Sequence, residues 1–352
     1  MSNQTLDPST LTAFGNVAAG HDGVLSDPTG ALVIKPCTPA EIAFYESVTT
    51  SHPDLAAYVP TYMGTLSLNP AATAEASTED LAEGMIQTAD GALERLHGKK
   101  LETELSIVLE NTAAGFSKPN ILDLKLGAQL WDEGAKPEKR ARLDKVSKET
   151  TSSSLGFRIA GMRTWSAVPS PLAEDLKSFA EVEEETGYTV YNKMYGRKFK
   201  AWNVVEGFEA YVLPPGTKKG RRELERARRV LVEFVDGVRE VRDIFRRKES
   251  RMYSASILLV FEGDAGAFGE KEDLLKKVPA KKGVEAEVED EEDDDDEEEE
   301  LPKLVSVKMI DFAHATWTPG LGRDENALQG ISNTLKVLVE LLGKVNAEIA
   351  ML

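Results

Sequence analysis

Residues Pro119 to Gly127, read as Pro-Asn-Ile-Leu-Asp-Leu-Lys-Leu-Gly, constrain this chain more than any other stretch. Leu122, Leu124 and Leu126 alternate with Ile121, Asp123 and Lys125, and a period of two marks a β-strand with one buried face. A carboxylate and an ammonium therefore project side by side from a strand whose back is apolar. Charges on a core-like strand are costly unless they are paired or used. On pattern alone, an ion pair on a half-exposed sheet accounts for them as well as a reactive site does.

A chain of 352 residues is long enough for one large domain or two lobes around a sizeable core. Its acidity is concentrated. Glu285, Glu287 and the unbroken run Glu289–Glu300 hold fourteen acids, and removing them from a net charge of −18 leaves −4. The remainder is close to balanced, so a low isoelectric point does not exclude an anionic substrate. The single cysteine, Cys37, makes no internal disulfide and no zinc cluster. No basic segment followed by an apolar run opens the chain, and the longest apolar stretch, Ile257–Phe261, is strand-sized. These features predict an intracellular protein that is not an integral membrane protein.

Along the chain, residues 1–16 are polar and expected to be loose. A strand over Ala31–Lys35 leads into a helix opened by Pro39, with Glu41 in its first turn. Ser77-Thr-Glu-Asp80 predicts a capped helix running to about Leu96, weakened by Gly84 and Gly91. Glu104–Glu110 reads as strand. Lys136–Val146 reads as a helix with Pro137 at its start, and Lys139, Arg142 and Lys145 recur along it every third residue. Such a stripe is either a solvated face or a polyanion site. Arg221–Lys248 is amphipathic, with Leu224, Ala227, Leu231, Phe234, Val238, Val241 and Phe245 on one side and arginines on the other. No nucleic-acid-binding motif accompanies those arginines, so direct nucleic-acid binding is not expected. Residues 270–303 read as a disordered acidic insert. In Leu304–Asp311, residues Val305, Val307, Met309 and Asp311 share a face, which predicts an acid ending a buried row, well placed for Mg²⁺. His314 follows three residues later.

Pro119, Asp123, Lys125 and Gly127 match the P-x-x-x-D-x-K-x-G signature of the inositol polyphosphate kinase family. Ser153-Ser-Leu-Gly-Phe-Arg158, Gly161-Met162, Tyr195-Gly-Arg197, Ser256-Ile-Leu258 and Ile310-Asp-Phe-Ala-His314 follow in the family's order. The chain thus resembles that family, in detail its fungal multikinases. The resemblance implies an α+β, two-lobed inositol polyphosphate kinase fold, distantly protein-kinase- and ATP-grasp-like. An ATP-binding lobe would span 17–112 and a second lobe 113–352, with the inositol-phosphate-binding segment at 128–152. It further implies ATP-dependent, Mg²⁺-dependent phosphorylation of inositol trisphosphate and tetrakisphosphate toward pentakisphosphate. Lys35 would hold the ATP phosphates, steadied by Glu41. Glu110 and Thr112 would bind adenine through their backbone, Asp123 the ribose, and Asp311 the metal. Lys125 would contact the transferred phosphate or the acceptor, Lys139, Arg142 and Lys145 the acceptor's phosphates, and His314 the acceptor hydroxyl. The short basic segment argues against the trisphosphate 3-kinases. Two alternatives stay open: a hexakisphosphate kinase, and a mainly non-catalytic nuclear transcription regulator binding basic proteins through Glu285–Glu300. A phosphoinositide lipid remains a further acceptor. A monomer shared between nucleus and cytoplasm is expected.

Overall fold

The computed structural model describes residues 10–15, 23–67, 85–87, 93–95, 103–277 and 301–352. In the first lobe the elements are Thr12–Ala13 (β1), Leu25–Ser26 (β2), Leu32–Pro36 (β3), the helices Pro39–Ser51 (α1) and Pro53–Ala56 (α2), Tyr62–Ser67 (β4), Met85–Gln87 (β5), Leu93–Arg95 (β6) and Leu105–Glu110 (β7). Five strands make an antiparallel sheet in the order β1-β2-β3-β7-β4. The loose N-terminus expected over 1–16 therefore contains an edge strand: β-branched Thr12 pairs with Ser26, and the Phe14 N–H donates to the Val24 carbonyl. Of the helix expected from Ser77 to about Leu96, residues 85–87 and 93–95 are strand instead, β5 pairing antiparallel with β6, and the rest lies outside the described residues. Asp90-Gly91 between them is a dipeptide that favours tight turns over helix.

The second lobe begins with Pro119–Leu126 (β8). It continues through Pro137–Glu149 (α3), Thr151–Leu155 (α4), Phe157–Trp165 (β9), Ala180–Glu183 (β10), Tyr188–Tyr191 (β11), Lys193–Arg197 (α5), Val204–Val212 (α6) and Arg221–Phe245 (α7). Ser250–Met252 (β12), Ser256–Glu262 (β13), Ala265–Lys277 (α8), Val305–Ile310 (β14), Ala315–Trp317 (β15) and Glu325–Ala350 (α9) complete it. Its sheet has the order β10-β11-β9-β8-β13-β14, which puts β8 at the centre. Pairing is antiparallel throughout, so directly opposed residues share a face. Leu122, Leu124 and Leu126 lie with Ile257, Leu259, Val307 and Met309 in one buried core with the apolar side of α7 and with α9. Each leucine buried there contributes about 1.5–3 kcal/mol. The opposite face carries Asp123, Lys125, Leu258, Ser256 and Lys308 toward the first lobe.

The arginine side of α7 is largely neutralised within the helix, through Arg221–Glu225, Arg229–Glu233, Arg239–Asp236 and Arg246–Asp243. Exposed pairs of this kind are worth little to stability. The insert expected over 270–303 begins later than its composition suggested. Residues up to Lys277 are helical in α8 because Phe268 is buried, Asp264 caps the Gly266 and Ala267 N–H groups, and Lys271 reaches the buried Glu262. The acidic run Glu285–Glu300 lies outside the described residues. Among the described residues no helix is long and apolar enough to cross a membrane.

Candidate active site

Lys35 is the next-to-last residue of β3, and α1 starts four residues after it. Thr38 caps that helix by accepting the Glu41 N–H, and Pro39 follows at the first helical position. This start aims the Glu41 carboxylate back at Lys35, 2.9 Å from its Nζ. Glu41 is 1% exposed and also accepts the Phe312 N–H. Lys35 Nζ lies 3.0 Å from Asp311 Oδ1. Burial opposes the lysine's charge, but Asp311 and Glu41 outweigh it and raise its pKa, so Lys35 stays protonated.

From the second lobe, Lys125 Nζ reaches Asp311 Oδ2 at 3.1 Å. The expectation that Asp311 ends the buried row of Val307 and Met309 needs correction. Strand β14 stops at Ile310, and Asp311 takes a left-handed backbone with φ +67°. That breaks the alternation and turns its carboxylate onto the cleft face, toward Lys125. A left-handed L-residue costs about 1–2 kcal/mol, and both ion pairs offset it. Asp123 is almost fully buried, and its Oδ1 has no hydrogen-bond partner. Burial pushes its pKa up to about 6; Lys125 opposes the rise and Asp311 adds to it. A buried orphan acceptor next to two cations is poised for a donor from outside the chain.

His314 Nδ1 sits 2.5 Å from Asp132 Oδ2. Burial and then Lys139 lower its pKa, which brings Lys139 to the same place, while Asp132 opposes them. Arg158 stands opposite Lys125 on β9 and bonds Ser152 Oγ at 3.0 Å. Burial and the charge of Arg197 pull its pKa down to about 10. Two guanidiniums close enough to oppose each other's charge beside Lys125 suit a polyanion. Both belong to motifs read from the sequence, yet neither stood out as a site residue. Asp132 carried no signal at all.

The remaining candidates are placed elsewhere. Each step of three residues on a helix falls about 60° short of a full turn. Thus Arg142 and Lys145 rotate away from Lys139 and are exposed, and Lys145 pairs with Glu149 at 3.8 Å. Glu110 closes β7. Its N–H goes to the Thr61 carbonyl, and its carboxylate to the Thr61 hydroxyl and Lys303. Thr112 lies in the turn joining the two sheets, which Asn111 pins by bonds to Gly30 and Ala113. Among the described residues no three His, Cys, Asp or Glu side chains gather into a metal site. A hard divalent ion would fit here with Asp311 as its protein ligand and phosphate oxygens supplying the rest.

Two lobes that bring opposed lysines onto one carboxylate, beside two half-buried arginines, define a phosphotransferase acting on highly phosphorylated molecules. Comparison with known proteins narrows this. Residues 106–339 match the inositol polyphosphate kinase family, and the chain belongs to that family. It is 36% identical to an inositol polyphosphate multikinase of Saccharomyces cerevisiae, over 92% of this chain and 96% of that one. It is 28% identical to mouse inositol hexakisphosphate kinase 3 over 67% of this chain and 50% of that one. A crystal structure of an S. cerevisiae inositol phosphate multikinase with ADP and Mn²⁺ aligns with TM-score 0.63 and 32% identity, covering 89% of this chain and all of that one.

Proposed function

We propose that this chain is an ATP-dependent inositol polyphosphate multikinase, carrying inositol trisphosphate and tetrakisphosphate to pentakisphosphate with Mg²⁺ as the metal. The observation that carries this reading is the meeting of Lys35 and Lys125 on Asp311, next to the orphan oxygen of Asp123. Phosphoryl transfer needs positioning and charge neutralisation more than covalent help. Lys35 grips the ATP phosphates, and Glu41 holds Lys35 in place. The ribose hydroxyls donate to Asp123. Asp311 would hold the metal, which would supply charge neutralisation for the ATP phosphates. Lys125 neutralises the phosphate in transit. Lys139, with Arg158 and Arg197, holds the acceptor's phosphates, and His314 faces the hydroxyl that attacks.

The test is product mapping with purified full-length protein, ATP, Mg²⁺ and a panel of inositol phosphates. Stepwise conversion of trisphosphate to pentakisphosphate is expected. Turnover of hexakisphosphate with none of trisphosphate would make the chain a hexakisphosphate kinase instead, and inertness toward the whole panel would overturn the reading.

A further inference from the structure

The segment between β8 and α3, residues 127–136, is held at every stage. Gly127 turns it with φ +95°, and the Gly127 N–H donates to the Gly156 carbonyl at 2.7 Å. Asn326 Oδ1 accepts the N–H groups of Ala128 and Gln129, and its amide returns a bond to the Gln129 carbonyl. Ser254 bonds the Leu130 carbonyl, and Gln129 the Trp131 carbonyl. The Trp131 indole N–H donates to Asp144 at 2.7 Å. Arg140 lies over the Trp131 ring at 4.6 Å while donating to the carbonyls of Ala135 and Glu133. A loop this thoroughly satisfied is a rigid platform, and what it presents is the Asp132 carboxylate, 2.5 Å from His314 Nδ1.

We infer that Asp132 is a positioning residue for the reaction: it fixes the ring of His314 with the proton on Nδ1 and the lone pair of Nε2 free to take a proton from the acceptor hydroxyl. This inference rests on the kinase reading above. In the step it serves, the acceptor oxygen forms a bond to the γ-phosphorus. The bond from that phosphorus to the β–γ bridging oxygen breaks, and ADP leaves with the electron pair. The hydroxyl proton goes to His314 Nε2 and later to solvent. Three charged groups act on His314: Asp132 from the loop, Lys139 from α3 and Glu41 from α1. Lys139 and burial keep the ring neutral and able to accept; Asp132 restores part of its basicity and settles which nitrogen does so. Both side chains are partly exposed, so replacing either does not empty a core site.

The experiment compares wild type, Asp132→Asn and His314→Gln as full-length proteins, using ATP, Mg²⁺ and inositol trisphosphate. Asp132→Asn should lower kcat by about tenfold or more, with the ~10²–10⁴ that a positioned general base contributes as the upper limit. Its KM for each substrate should stay within about twofold of wild type, because the interaction lost is one made in the transition state. The acid limb of its pH–kcat profile should move to lower pH, since the lost carboxylate supported the protonated ring. In His314→Gln that limb should disappear. The chain has four histidines, so nitrogen NMR of the imidazoles reads the tautomer directly, with His314→Gln giving the assignment. The Nδ1–H form is expected in wild type, and a mixture in Asp132→Asn. An unchanged kcat, an equal loss with an unmoved acid limb, or a tautomer indifferent to Asp132→Asn overturns the inference. If wild type phosphorylates nothing in the panel, the kinase reading fails by itself, and the tautomer measurement still judges the pair.

Discussion

Replacing Asp123 with Asn should make the protein more stable at neutral pH while removing its activity. The carboxylate is 3% exposed, and its pKa is pushed up to about 6 from 3.8. Below the unfolded value the group is protonated in both states and contributes nothing. Between 3.8 and about 6 the folded state holds a proton that the unfolded state has released, so stability falls as pH rises. Above about 6 both states are ionised, and the folded state carries the full penalty, about two pKa units or roughly 3 kcal/mol. An amide of the same shape removes that penalty and gives back about 1 kcal/mol for its own imperfect bonding. A net gain of about 2 kcal/mol is expected, which for a chain of this length is about 3 °C in Tm. The assay is thermal melting of wild type and Asp123→Asn from pH 4 to pH 8 with no nucleotide present. The gap should be widest above pH 7 and close toward pH 4. A gap that is absent, or that does not change with pH, would show that Asp123 is not a strained carboxylate awaiting a donor. Because only the ionised form accepts two ribose hydroxyls well, the wild-type KM for ATP should also rise as pH drops below about 6.

Asp311→Asn keeps the side chain's shape and removes its charge. Metal-dependent turnover should fall by about 10³ or more, since a metal supplies several kcal/mol of charge stabilisation, and metal titration of ATP binding checks whether the metal dependence goes with it. Lys139→Ala should raise the acceptor's KM by about ten- to a hundredfold, from a charge-assisted contact worth roughly 1.5–3 kcal/mol, and leave that of ATP in place; steady-state kinetics in both substrates separate this from general destabilisation. At Gly127 an alanine Cβ would lie 2.6 Å from Asn326 Nδ2 and 2.9 Å from the Gln129 carbonyl, on a backbone with φ +95°. Gly127→Ala should cost about 1–3 kcal/mol in urea unfolding, and it should lower kcat, because the loop that carries Asp132 starts there.

Local periodicity was enough to read the parts that local periodicity builds. The alternation of 121–126 gave β8 and its charged face, and the apolar repeat of 224–245 gave the buried side of α7. The start of α1 is legible from Pro39, although the sequence does not mark Thr38 as its cap. What brings the site together is not local. Lys35 and Asp311 are 276 residues apart, and Lys125 and Asp311 are 186 apart. Motif resemblance, not spacing, put those three in one place. The left-handed turn at Asp311 had no sequence signal, because aspartate is neither glycine nor a residue barred from that region. Asp132 was invisible for a different reason. Its partner is fixed by a loop whose conformation depends on Asn326, in a helix at the far end of the chain. The paired strands β5 and β6 are hidden in the sequence because a capping-box pattern competes with an Asp-Gly turn signal in a segment of weak propensity either way.

The Asp-Phe pair at 311–312 divides its labour between chemistry and architecture. Phe312 is fully buried and stacks on Phe44 of α1 with ring centroids 4.2 Å apart; Phe44 in turn stacks on Trp317 at 5.0 Å, and Tyr45 meets Phe312 edge-on. The Trp317 indole donates to Ser47, and Thr38 donates to the Ala313 carbonyl. Next to this seam the Met309 N–H donates to the Tyr58 carbonyl, and Lys308 binds the carbonyls of Ala57 and Val59. Helices α1 and α2 belong to the first lobe in sequence but are seated on the second. The separation of Lys35 from Asp311 is therefore set by a packed aromatic seam and by Glu41, which bonds both Lys35 and the Phe312 N–H, rather than by the turn at residues 111–113. Packed seams of this kind resist small displacements. Such a cleft is pre-organised at its phosphate end. Transfer of a phosphoryl group depends on fixed charges more than on moving ones, and this arrangement keeps Lys35, Lys125 and Asp311 in register before any substrate arrives.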